Sequence, residues 1–208
     1  MGHHTPTPEL VTEHPEQIAG YTYGTAEATA SPLTMEDLER LKAVVGLTKE
    51  DQEALVEAAG ILADQADDMV TAYRDGLVEL PFMRPYFGHP DGSANPEYGA
   101  ASKPRFDRFI IDVCTRPLDQ DWLNYQHEIG LRHTRAKKNA TDHADSLDHI
   151  PMRYLVAFTA VVIATARDYL AAKGSSPEEI DRMHAAFTKA VMLHVTVWTR
   201  PYVDAADW

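Results

Sequence analysis

Cysteine is almost absent. Cys114 is the only one in 208 residues, which excludes an internal disulfide framework, and no Cys-x-x-Cys pair is available to hold zinc or exchange electrons. A reducing, cytoplasmic setting is therefore expected. Positive charge is scarce as well: Lys and Arg number 19 against 32 Asp and Glu, a formal charge of −13. The basic surface that neutralises phosphates is missing overall, so no nucleic-acid partner is expected. Long hydrophobic runs are also lacking. The longest uncharged apolar-rich stretch, Tyr154 to Ala166, is thirteen residues between Arg153 and Arg167, short of the roughly 20 that span a bilayer. It reads as a core helix, and no membrane partner is expected. The N-terminal Met1-Gly2-His3-His4-Thr5-Pro6 has neither the apolar stretch of a signal peptide nor the hydroxyl residue of a myristoylation motif. Glycine-rich phosphate cradles, Gly-x-Ser-x-Gly elbows and His-Glu-x-x-His are missing too, which removes the commonest sequence-readable enzymes.

What is present is an ordinary globular balance, 44% hydrophobic and 25% charged, with a helical rhythm. Residues 1–18, with Pro6, Pro8 and Pro15, show no period and read as an N-terminal arm; residues 19–208 read as one domain. Thr34 with Asp37, and Thr48 with Asp51, have the spacing that caps a helix start. The first helix stops at Gly46. The second carries an apolar stripe through Leu55, Leu62, Met69 and Tyr73 to about Val78, as one helix or as two with a bend near Gly60. A short helix fits Phe82 to Phe87. Asn95-Pro96-Glu97 opens another, which Pro104 should kink or restart near Ser102. Asp119 or Asp121 opens a helix through Trp122, Tyr125, Ile129 and His133. A polar loop follows from about Asn139 to Asp148. Two long helices close the chain, one from Pro151 to Lys173 and one from Ser176 to Arg200. No segment alternates with period two, so the fold class is all-α, with seven or eight helices.

Ten histidines stand out, yet no pair on one helix has chelating spacing. His133 differs because Trp122, Tyr125 or Gln126, and Ile129 share its face, which places a single imidazole at the end of an inward stripe. One inward histidine is what a haem needs, since the porphyrin supplies four nitrogens and the protein one axial base. Arg132, Arg135, Lys137 and Lys138 surround it and would attract haem propionates. A hydrogen-bonded core histidine beside a helix-terminal basic cluster is the plainer alternative.

The stretch Trp122 to Asn139 (WLNYQHEIGLRHTRAKKN) resembles the proximal helix of the protoglobins, single-domain haem proteins related to the globin-coupled sensors. Further pieces resemble that family in the same order: Gly20-Tyr21-Thr22-Tyr23-Gly24, Pro85-Tyr86-Phe87, Arg105-Phe106, Arg153 to Phe158, and Trp198 to Val203. The resemblance implies a globin fold with an extra N-terminal helix, here Thr34 to about Val45, and bound haem b. It makes His133 the iron ligand, Phe106 and Phe158 pocket walls, and Leu155 a neighbour on the proximal side. Where the family shows a distal Trp-Tyr pair, this chain has Tyr73-Arg74. Either Arg74 is the polar distal group, or Tyr73 turns inward while Arg74 reaches solvent. His127 stands where the family has tyrosine, and an ordinary polar contact is expected of it. The resemblance also implies a homodimer through the last two helices. Independently, Ala190 to Trp198 is apolar almost all round, which points to a second buried face at a subunit interface. The expected function is reversible binding of O2, CO or NO at a His-ligated iron, as gas sensor or scavenger. The rivals are a haem enzyme of peroxidase or nitric-oxide dioxygenase type, and a cofactor-free interaction module.

Overall fold

Side chains that occupy the orphan amides of a first turn start five of the helices in the computed structural model, which describes residues 18–208. The expected arm, 1–18, lies outside the described residues except for Ile18. Thr34, Thr48 and Ser176 form reciprocal capping boxes with Asp37, Asp51 and Glu179, opening α1 (Met35–Val45), α2 (Lys49–Leu62) and α8 (Pro177–Thr199). Asn95 and Asp119 cap α5 (Pro96–Thr115) and α6 (Gln120–Leu131). The remaining helices are α3 (Ala66–Val78), α4 (Arg84–Phe87) and α7 (Met152–Ala171). No strand occurs among the described residues.

Three boundaries depart from expectation. The break between α2 and α3 is a 3-10 turn at Ala63–Gln65 rather than a bend at Gly60. Gly60 is exposed and costs only helix propensity, whereas the Gln65 side-chain amide takes the Ile61 carbonyl at 2.7 Å and competes with the backbone ladder. α5 runs through Pro104 without a restart; Ser102 Oγ and Arg105 Nη1 donate to the Tyr98 and Ala101 carbonyls beside it. α6 ends at Leu131, so His133 lies in the turns beyond it. The His133 amide bonds Gly130 at i−3, and its carbonyl is taken by the distant Ile150 amide at 2.9 Å.

α8 is the central helix. Met183, Phe187, Val191 and Val195 pack against α2, α5 and α7, and Leu193 and Val197 pack against Leu38, Trp122 and Leu123. Each large apolar side chain so buried contributes about 1.5–3 kcal/mol. This packing corrects the sequence argument for an interface on α8: apart from exposed Met192, its apolar stretch is covered by the chain's own helices. The unpartnered apolar face is on α7. Leu155, Val162, Ala166 and Leu170 point inward, while Val156 and Val161 remain 41% and 42% exposed. α7 is long and apolar enough to cross a membrane by length and composition only, and less than a third of it is buried, so the expectation of a core helix holds for one face.

Candidate functional site

A deep cavity opens between α3, α5, α6, α7 and α8. The expected wall residues Phe106, Leu155 and Phe158 line it, together with Phe109, Ile129 and Val162. Tyr73, buried in α3, lines it too and meets the Phe158 ring edge-on at 5.3 Å. Arg74 does not. Its guanidinium lies 5.2 Å over the outer side of the Phe106 ring, near Gly99 and Ser102, and it borders a separate surface pocket with Arg84. Adjacent helical side chains diverge by about 100°, and here Tyr73 is the one that turns inward.

His133 lines the same cavity. Its Nδ1 lies 2.8 Å from the Ile129 carbonyl. A carbonyl only accepts, so Nδ1 carries the proton and Nε2 keeps its lone pair. Burial pushes the imidazole down to about 4, the Ile129 bond working against that shift, with the Lys138 and Arg132 charges adding to it. Nε2 has no hydrogen-bond partner among the described residues and is not a sealed, orphaned atom, so the space in front of it is the cavity. The ring stacks on Trp198, centroids 5.7 Å apart and 18° between planes. Trp198 in turn donates from Nε1 to Gln126 Oε1 at 2.8 Å, which fixes that ring.

The other residues expected around His133 separate. Trp122 belongs to the α1–α6–α8 cluster and donates to His194 Nε2 at 3.2 Å, so it does not share the inward face of His133. Arg132 and Lys137 both pair with buried Glu128, whose carboxyl they help hold at about 2 against the cost of burial. Arg135 is exposed and faces Asp148. Among the described residues, Lys138 alone of the four has no carboxylate partner: the residue, 7% exposed, lines the cavity, and its ammonium bonds the hydroxyls of Tyr98 at 2.8 Å and Ser146 at 3.0 Å. Burial lowers it to about 8. Tyr98 and the Arg105–Asp142 pair complete this polar end. Among the described residues His127 Nδ1 has no polar partner, contrary to expectation; burial lowers its pKa.

Tyr98 and Trp198 line the cavity although the sequence alone did not assign them to it, and the pairing of Trp198 with Gln126 was equally hidden. A Trp and a Gln seventy-two residues apart carry no local signal of contact.

The donor set fits a haem. An apolar slot carries one imidazole with an available lone pair, the buried phenols of Tyr73 and Tyr125, and a cation at one end for carboxylates. The protoglobin family profile matches residues 34–208. A search of curated proteins found no match. With the match covering most of the chain and the described structure all-helical around such a cavity, the chain belongs to the protoglobin family, globin-type haem proteins that bind gas.

Proposed function

We propose that this cavity holds haem b through His133 Nε2 and that the protein reversibly binds a small diatomic gas, O2, CO or NO, as a gas sensor or scavenger. The observation that carries the reading is the unpartnered Nε2 of a neutral, tautomer-fixed imidazole facing an apolar slot. A backbone acceptor on Nδ1 both orients the ring and raises the basicity of Nε2. When bound, the haem supplies an iron with four nitrogens already in place and one position left for gas.

The chain's own residues do the rest. Phe106, Phe158 and Leu155 exclude water from the slot. The Tyr73 hydroxyl, kept protonated because burial pushes its pKa far up, is the donor offered to a bound ligand. Lys138 and Tyr98 receive the carboxylate edge, and a carboxylate beside Lys138 offsets the cost of burying the ammonium. The exposed apolar face of α7 supports pairing of two chains through the last two helices; Val156→Glu with Val161→Glu is expected to convert a dimer to a monomer in light scattering.

The test is reconstitution. Purified protein titrated with haemin is expected to develop a sharp Soret band that shifts on reduction and CO addition, and His133→Ala is expected to lose the axially ligated spectrum. Absence of uptake sinks the reading. A variant spectrum identical to the parent moves the ligand elsewhere.

A further inference from the structure

His133 rides on a turn rather than on a helix, so something other than a helical ladder must aim it. Its carbonyl accepts the Ile150 amide at 2.9 Å and the Tyr202 hydroxyl at 3.1 Å. The same hydroxyl reaches the Ile150 carbonyl at 2.8 Å, so one phenol proton is shared between the two strands of chain that meet there. Tyr202 ends the 3-10 turn Arg200–Tyr202 that follows α8. Burial raises its pKa, which keeps it a donor.

The turn comes this close because residue 130 has no side chain. A Cβ on Gly130 would stand 2.9 Å from the Trp198 carbonyl oxygen and 3.1 Å from the Pro201 ring. Trp198, four residues before Tyr202, stacks on the His133 ring itself. The C-terminal end of α8 therefore holds the histidine at three points: the ring, the carbonyl, and the helix turn just before it.

We infer that Tyr202 is a positioning residue for the iron ligand: its hydroxyl fixes the turn that carries His133 and so sets the direction in which Nε2 meets the iron. The inference rests on the reading that His133 ligates haem. It makes the 3-10 turn Arg200–Tyr202, at the end of α8, the element that feels any displacement of the histidine. An imidazole on an unclamped turn meets the iron over a wider range of angles, which weakens and spreads the bond.

The experiment uses the haem-loaded full chain. Tyr202→Phe keeps the ring and its packing on His149 at 5.4 Å and removes only the hydroxyl. Resonance Raman of the ferrous protein is expected to show the iron–histidine stretching band lowered and broadened. Haem transfer to an excess of apomyoglobin is expected to speed up about fivefold, the size of one neutral hydrogen bond. Gly130→Ala perturbs the same clamp from the α6 side while leaving the Tyr202 hydroxyl in place, and is expected to move the same band. A purely structural role would lower the unfolding midpoint and leave the band where it is. A Tyr202→Phe band and transfer rate equal to the parent overturn the inference; if that variant does not fold, an unchanged band in Gly130→Ala overturns it. Because both readouts require a parent spectrum that depends on His133, failure of the haem reading shows first and separately, in the parent protein.

Discussion

His133 and His194 are near twins in environment and opposites in what they offer. His194 is fully buried and His133 only partly so, but both lie beside Trp198, both place Nδ1 at 2.8 Å from the carbonyl four residues back, and desolvation pushes both down to about 4. The difference lies at Nε2. In His194 it accepts the Trp122 indole hydrogen at 3.2 Å, and the residue is finished as part of the core. In His133 the same atom faces a cavity. Tautomer and pKa therefore do not distinguish a ligand from a core histidine; the partner of the last free atom does. The rule repeats in two neighbouring pairs. Tyr73 faces the cavity and Arg74 does not. Lys138 ends on hydroxyls in the cavity wall, and Lys137 is spent on Glu128.

Exchanging the members of each pair tests the rule. The largest contrast is between His133→Ala, which should abolish the ligated spectrum, and His194→Ala, which should keep it. The second variant leaves a buried void and an unpaired Trp122 Nε1, so it should lose about 2–4 kcal/mol in urea denaturation. Next is the distal pair. Tyr73→Phe should speed dissociation of bound O2 about tenfold in flow measurements, while Arg74→Ala should change it less than about twofold. A smaller contrast is expected at the lysines. Lys138→Met should raise the rate of haem transfer about fivefold, about 1 kcal/mol, the size of one ordinary hydrogen bond. Lys137→Met should leave that rate alone and lower the unfolding midpoint, because Glu128 loses a partner.

The smallest effect is a slope. A His that is neutral when folded and protonated when unfolded gives stability that is complete above its ordinary value of 6.5 and lost as pH falls toward about 4. His194→Gln keeps an acceptor for Trp122 but takes no proton. The haem-loaded variant should therefore show a stability slope shallower by about one proton across that window.

Local chemistry was legible in the chain and its consequences at a distance were not. Thr34, Thr48, Asn95, Asp119 and Ser176 declare helix starts because the cap and the amide it serves are three residues apart. The histidine worth following was also legible, through the spacing of Tyr125 or Gln126 and Ile129 and through the family resemblance. The helix end before His133 was hidden, since it is set by Ile150 and Tyr202, residues far along the chain. The apolar girth of α8 was read as an interface because periodicity counts apolar faces without saying which helices cover them; five others cover this one, and the bare face is on α7. Lys138 could not be told from its three basic neighbours until each neighbour's carboxylate was placed.

The central claim is that His133 Nε2 is the atom presented to iron. His133→Gly, loaded with haem, should lose the parent ferrous and CO spectra and regain both when imidazole is added, because the cavity then admits the free ring in the place of the side chain. A His133→Gly protein that shows the parent spectra without imidazole would contradict the account.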